Sequence, residues 1–175
     1  MKSKYIYIII IVALIILGIG FYMTNKQTTA VLETNMGNIE IQLDQRTSIT
    51  SGNFESLIKS GFYDGIIFHR IVPGFVIQGG DPTGTGTGGS AEIKDEFVPD
   101  LSNLRGTISM ANRGPNTGSS QFFINLADNT FLDGKHPVFG QVVSGMDVVD
   151  KIAEVETDAN GLPFNKVTIV KAYLK

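Results

Sequence analysis

Arg70 is a full positive charge inside the apolar run Ile66 to Ile71, and Gln78 follows eight residues later in Phe75-Val76-Ile77-Gln78. Arginine is rarely buried without a partner. Arg70 is therefore either the surface half of an ion pair or a cation oriented by the long amide of Gln78. A second cluster is Ser120-Gln121-Phe122-Phe123-Ile124, followed by Phe131-Leu132-Asp133-Gly134-Lys135-His136-Pro137-Val138-Phe139-Gly140. On a strand Gln121 and Phe123 share one face and Phe122 and Ile124 the other. Core packing accounts for Phe122 and Ile124 but poorly for Gln121, so one face combines an amide with an aromatic ring.

Other chemistries find little support. His69 and His136 stand 67 residues apart without carboxylates at metal-ligand spacing. Ser119-Ser120 lacks the G-x-S-x-G setting of a nucleophile elbow. Gly84, Gly86 and Gly89 satisfy G-x-G-x-x-G in form, yet Pro82 precedes them and no helix pattern follows, so a mobile surface loop is expected there. Zero cysteines exclude disulfides, zinc fingers, iron–sulfur clusters and thiol catalysis. No cofactor and no metal are expected.

The elements that must position these residues are mostly short strands. Val31 to Thr34, a turn over 35–38 and Ile39 to Leu43 read as a hairpin, with Ile39, Ile41 and Leu43 on one face. Phe54, Leu57 and Ile58 predict a short helix capped by Thr50 or Ser51 and stopped at Gly61. A second helix is predicted from Met146 to Ala153. Further strands are predicted at 66–71, 75–78, 107–111, 121–126, 138–143 and 166–174. Many short strands with two helices favour an all-β closed barrel over a parallel α/β sheet, which needs a helix after nearly every strand.

The N-terminus is different in kind. Tyr5 to Met23 is a run of nineteen residues in which only Gly18 and Gly20 are not apolar. As a helix it would span about 28 Å, close to the thickness of a bilayer core. Lys2 and Lys4 precede it, which by the positive-inside rule keeps residues 1–4 cytoplasmic. The expectation is a stub over 1–4, a transmembrane anchor over 5–23, a linker over 24–30 and an extracytoplasmic domain over 31–175. A cleaved signal peptide is the alternative and also places the domain outside. All 17 acidic residues follow position 26, against 11 basic ones, so the body carries −6 and is unsuited to nucleic acid.

The segments Phe68 to Asp81, Met110-Ala111-Asn112-Arg113-Gly114-Pro115-Asn116-Thr117, Ser120 to Ile124 and Phe131 to Gly140 together resemble the signature of the cyclophilin family of peptidyl-prolyl cis-trans isomerases. The similarity runs from about Val31 to Leu174. It implies an eight-stranded antiparallel barrel capped by two helices, with its site on the outer face of the barrel. The resemblance gives Arg70 the role of stabilising a twisted X–Pro amide and Gln78 that of holding Arg70 and contacting the substrate carbonyl. It assigns the proline socket to Phe75, Val76, Phe123 and Leu132, with His136 at the rim. Backbone and side-chain groups of Asn112, with Ala111 and Gln121, would hold the residue before proline by extended hydrogen bonding, and His69 would support the site from beside it. Phe131 stands where family members that bind cyclosporin well carry tryptophan, and Val76 where methionine is common. The partners implied are proline-containing polypeptides, met by a monomer. A non-catalytic proline-binding module and a general holdase chaperone are the competing readings.

Overall fold

In the computed structural model, residues 28–175 are described, and alternation sets the faces of the first hairpin. β1 (Thr29–Thr34) and β2 (Gly37–Leu43) pair antiparallel, with Leu32 opposite Ile39 and Ala30 opposite Ile41. Ile39, Ile41 and Leu43 are fully buried, whereas Glu40 and Gln42 between them are partly exposed. The Thr34 hydroxyl closes the turn, donating to the Gly37 carbonyl at 2.6 Å and accepting from the Met36 N–H at 3.0 Å.

Six more strands follow: β3 (Arg70–Val72), β4 (Val76–Gly79), β5 (Thr107–Met110), β6 (Phe122–Asn125), β7 (Val138–Ser144) and β8 (Ile169–Leu174). All eight lie in one antiparallel sheet of order β3-β4-β6-β5-β7-β2-β1-β8. The ladder is open between β3 and β8, so the closed barrel expected from the sequence needs correction. Among the described residues the single bridge Ile67↔Thr168 spans that seam, helped by the backbone bonds Gly65 N–H to Ile169 carbonyl, Phe68 N–H to Val167 carbonyl and Ile169 N–H to Ile66 carbonyl. The strand predicted over 66–71 accordingly shrinks to Arg70–Val72, because 66–68 serve the seam.

Two helices cover the sheet. α1 (Ser48–Lys59) turns Phe54 and Ile58 inward, and α2 (Met146–Ala153) buries Val148, Val149 and Ile152. Phe54 meets Tyr63, Phe122 and Phe139 with ring centroids 5.0, 5.4 and 5.2 Å apart. Removing such a buried ring costs about 3–5 kcal/mol. The caps expected at Thr50 or Ser51 are absent; both lie inside α1, which starts at Ser48. Glu96, from a distant loop, does that work: its Oε2 accepts the Ile49 N–H at 2.9 Å and the Thr50 N–H at 3.3 Å.

Among the described residues no helix is long and apolar enough to cross a membrane. The anchor predicted over 5–23 lies outside the described residues, as do the stub over 1–4 and most of the linker over 24–30.

Candidate active site

Register builds the site. Arg70 stands opposite Gln78 in the β3–β4 ladder, Gln78 opposite Phe123 in β4–β6, and Phe123 opposite Ser109 in β5–β6. Directly opposed residues share a face, so three strands line up a cation, an amide and an aromatic ring. These three, with Phe75, Val76, Ala111, Asn112, Leu132 and His136, line one cavity of about 210 Å³. Nine of the twelve site residues expected from the sequence therefore meet in a single hollow. Gln121 borders an adjoining hollow of about 80 Å³ that shares Gln78, Ala111 and Asn112. Phe131 stands at the rim, 62% exposed, with its ring stacked on Phe75 at 6.0 Å and 14°.

His69 lines neither hollow. It is 7% exposed, its Nδ1 has no hydrogen-bond partner among the described residues, and burial pushes its pKa down. A Cβ on Gly86 would lie 3.6 Å from its ring, so His69 packs beneath the glycine loop.

Arg70 forms no ion pair among the described residues. Its guanidinium carbon lies 5.7 Å from the centroid of Phe75, in cation–π range. A Cβ on Gly161 would lie 3.5 Å from Arg70 Cγ, and the Gly161 carbonyl accepts the Ile71 N–H at 2.8 Å. The stem thus runs close to the Gly161 turn and the charged end lies near the Phe75 ring. The expectation that Gln78 binds Arg70 is not met by a hydrogen bond. Gln78 Nε2 donates instead to Gln121 Oε1 at 2.9 Å, and Gln121 Nε2 donates to the Gly86 and Gly88 carbonyls at 3.0 and 2.7 Å.

Those carbonyls are fixed by Asp81, a residue that sequence reasoning passed over. Asp81 is 1% exposed, and its carboxylate accepts N–H groups of Thr83, Thr85, Gly86 and Gly88 at 2.6–3.1 Å, plus the Thr83 hydroxyl at 2.8 Å. Burial alone would raise its pKa, but the donors from Thr83, Gly88 and Gly86 outweigh that and hold it at about 2. The Gly/Thr stretch is therefore not the loose surface loop expected but a chain wrapped on a carboxylate. A Cβ on Gly88 would strike Asp81 Oδ1 and Thr83, and one on Gly89 the Ser119 hydroxyl. Glycine serves close approach here, without any phosphate.

Two other assigned residues already hold parts of the site together. The Ala111 N–H donates to the Gln121 carbonyl at 3.0 Å. The Asn112 side chain donates from Nδ2 to the Lys135 carbonyl at 2.7 Å and accepts the Gly114 N–H at Oδ1 at 3.3 Å, which fixes its orientation and leaves a second N–H and a second lone pair. Asn112 thus shapes the shelf beside the cavity.

A buried amide network under the cavity was also missed. Asn103, Asn125 and Asn129 are at most 4% exposed. Asn129 Nδ2 donates to the Phe75 carbonyl at 3.0 Å and to Asn125 Oδ1 at 2.9 Å, while Asn103 Nδ2 reaches Asp133 and the His136 carbonyl at 2.8 and 3.3 Å. The walls carrying Phe75, Leu132 and His136 are thereby tied together. His136 Nδ1–H donates to the Met110 carbonyl at 3.2 Å, and its ring meets Phe123 edge-on at 5.5 Å. Burial pushes its pKa down, against the opposing effect of the Met110 bond, so the imidazole is neutral near pH 7.

A half-barrel with an unpaired guanidinium over an apolar hollow defines the class, and comparison with known proteins agrees. The family described as "Cyclophilin type peptidyl-prolyl cis-trans isomerase/CLD" matches residues 29–174. The peptidyl-prolyl cis-trans isomerase ppi1 of Schizosaccharomyces pombe is 50% identical over 147 residues, covering 81% of this chain and 95% of that protein. The peptidyl-prolyl cis-trans isomerase-like 1 of Bos taurus is 46% identical over 148 residues, covering 81% and 89%. A crystal structure of a cyclophilin type peptidyl-prolyl cis-trans isomerase from Cryptosporidium parvum superposes with a TM-score of 0.82 at 34% identity, covering 85% of this chain and 97% of that one. The chain belongs to the cyclophilin-type peptidyl-prolyl cis-trans isomerase family and is an enzyme of that class.

Proposed function

We propose that Arg70 carries the isomerisation and that the 210 Å³ hollow is where proline turns. Rotation about an X–Pro bond must break amide resonance, with a barrier of about 18–20 kcal/mol. No bond to a heavy atom forms or breaks, so the enzyme has only to bind the twisted amide better than either planar isomer. As the amide twists, its nitrogen becomes pyramidal and gains a lone pair. Arg70 donates a hydrogen bond to that lone pair, an interaction absent from both ground states. Phe75, Val76, Phe123 and Leu132 hold the pyrrolidine ring, and neutral His136 closes the rim without adding a second charge.

The observation that carries this reading is a guanidinium 5.7 Å from the Phe75 ring centroid, on the cavity wall, with no carboxylate among the described residues to neutralise it. In the full-length chain, Arg70→Ala should lower kcat/KM for an X–Pro peptide by about 100-fold or more while leaving the circular dichroism unchanged. Arg70→Lys should recover little, since an ammonium lacks the planar fork. Unchanged turnover in Arg70→Ala would remove Arg70 from the reaction.

For location, the nineteen-residue apolar run over 5–23 with Lys2 and Lys4 before it supports an anchored enzyme facing outward, acting on exported or surface polypeptides. Protease treatment of intact cells tests this. Degradation of the domain supports the outward orientation, and protection that persists until lysis reverses it.

A further inference from the structure

Beside the proline hollow lies a larger cleft, of about 530 Å³, that shares Asn112 and His136 with it. We propose that this cleft is a second substrate subsite. It would take a large apolar or aromatic side chain from the same polypeptide, within three residues of the proline. The inference rests on the reading of the hollow as the proline site.

The wall of the cleft is Phe97, whose ring is 46% exposed. An exposed aromatic ring on a slack loop would mean little. This one follows directly on a segment anchored at three residues, Ile93, Asp95 and Glu96. The Ile93 N–H donates to the Gly118 carbonyl at 2.7 Å, and Asp95 and Asn116 exchange bonds, N–H to Oδ1 at 3.0 Å and N–H to Oδ2 at 2.8 Å. Glu96 is fastened to the start of α1 through Ile49 and Thr50. The ring is thus presented to solvent by a preorganised backbone, which lowers the ordering cost of binding.

The facing wall is as firmly built. Asn112 Nδ2 holds the Lys135 carbonyl, and the Thr117 hydroxyl closes the 113–117 turn, accepting the Arg113 N–H and donating to the Gly114 carbonyl, both at 2.8 Å. Pro115 adds apolar surface. Asp95 and Lys135 bring opposite charges to the lining, so neither sign of side chain is favoured and apolar area decides. A polypeptide whose proline fills the hollow and which leaves across the shared Asn112 and His136 edge runs directly into the cleft. An extended chain advances about 3.3 Å per residue, so three residues carry it about 10 Å from the proline.

The test uses the full-length chain and a set of X–Pro peptides carrying Phe, Leu or Ala in turn at each of the three positions on either side of proline. The native enzyme should prefer Phe or Leu over Ala at one position by about tenfold, expressed in KM more than in kcat. Phe97→Ala should abolish that preference, and Phe97→Leu should keep part of it, while turnover of Ala peptides stays within twofold for both variants. A native enzyme with no positional preference, or a preference that survives in Phe97→Ala, overturns the subsite. Calorimetric binding of the same peptides to Arg70→Ala separates the two readings. Retained Phe97-dependent binding there supports the subsite whatever becomes of the catalytic role of Arg70.

Discussion

Arg70 and Gln78 face one another across the β3–β4 ladder, yet the amide of Gln78 donates to Gln121 at 2.9 Å and not along the row toward the guanidinium. The consequence is a relay of fixed positions. Asp81 holds the glycine loop, the loop carbonyls hold Gln121, and Gln121 holds Gln78 beside Arg70.

Gln121 is therefore a positioning residue whose loss should be felt at the reacting bond. Gln121→Ala should lower kcat/KM about tenfold, mainly through kcat, since Arg70 and the socket remain in place. Gln121→Glu should be worse than alanine, because a carboxylate would point at the Gly86 and Gly88 carbonyls that now accept its N–H groups. Equal kcat in native and Gln121→Ala enzyme would break the relay.

Asp81 should tie stability to acid. Its folded-state pKa, about 2, lies below the ordinary 3.8, so the folded form favours the carboxylate. The stabilisation, about 2 kcal/mol, is complete above the unfolded value and drains away as pH falls from about 4 to 2. Asp81→Asn should lower the denaturant midpoint at pH 7 and flatten that acid limb. A native-like midpoint in the variant at pH 7 would remove the carboxylate from the loop's support.

His136 should set the acid side of the activity profile. Because burial lowers its pKa, the neutral ring persists to pH values below the ordinary 6.5. Stability and activity owed to that neutral form are present above 6.5 and are lost only as pH falls through the depressed value. kcat/KM should stay level from pH 8 to about 6.5 and decline below it. In His136→Asn, which cannot become charged, the decline should vanish; a decline that remains would place the titrating group elsewhere.

Gly80 is a structural test of the same region. It has φ 87, and a Cβ there would meet the Ser120 carbonyl, while its own carbonyl accepts the Ser120 hydroxyl at 2.7 Å. Gly80→Ala combines left-handed strain with a backbone collision, so a loss of about 2–4 kcal/mol is expected in urea unfolding. A shift below 0.5 kcal/mol would show that the β4 exit can yield.

What was legible in the sequence was periodic or dense in motif. The alternation at Ile39, Ile41 and Leu43 marked β2, the stripe through Val149, Ile152 and Ala153 marked α2, and the Phe68 to Asp81 segment pointed to Arg70. What escaped reading were bonds between residues far apart in the chain. Glu96 caps α1 across 47 residues, Gln78 reaches Gln121 across 43, and Asn129 reaches Phe75 across 54. No local pattern signals such pairings. Asp81 had a partial signal, an acid just before a glycine- and threonine-rich stretch, but only the fold reveals that the stretch wraps the carboxylate. The open seam between β3 and β8 escaped for the same reason, since hydrophobic pattern marks a strand without saying which neighbour it lacks.

The pairing of β1 with β8, Ala30 against Leu174, joins one of the earliest strands of the domain to its last. During synthesis, everything up to α2 can emerge while β1 still offers one bare row of N–H and C=O groups, an edge open to foreign strands. Contacts that span more than 140 residues form slowly. An enzyme that speeds a slow step in the folding of other chains thus completes its own sheet only when β8 has left the ribosome.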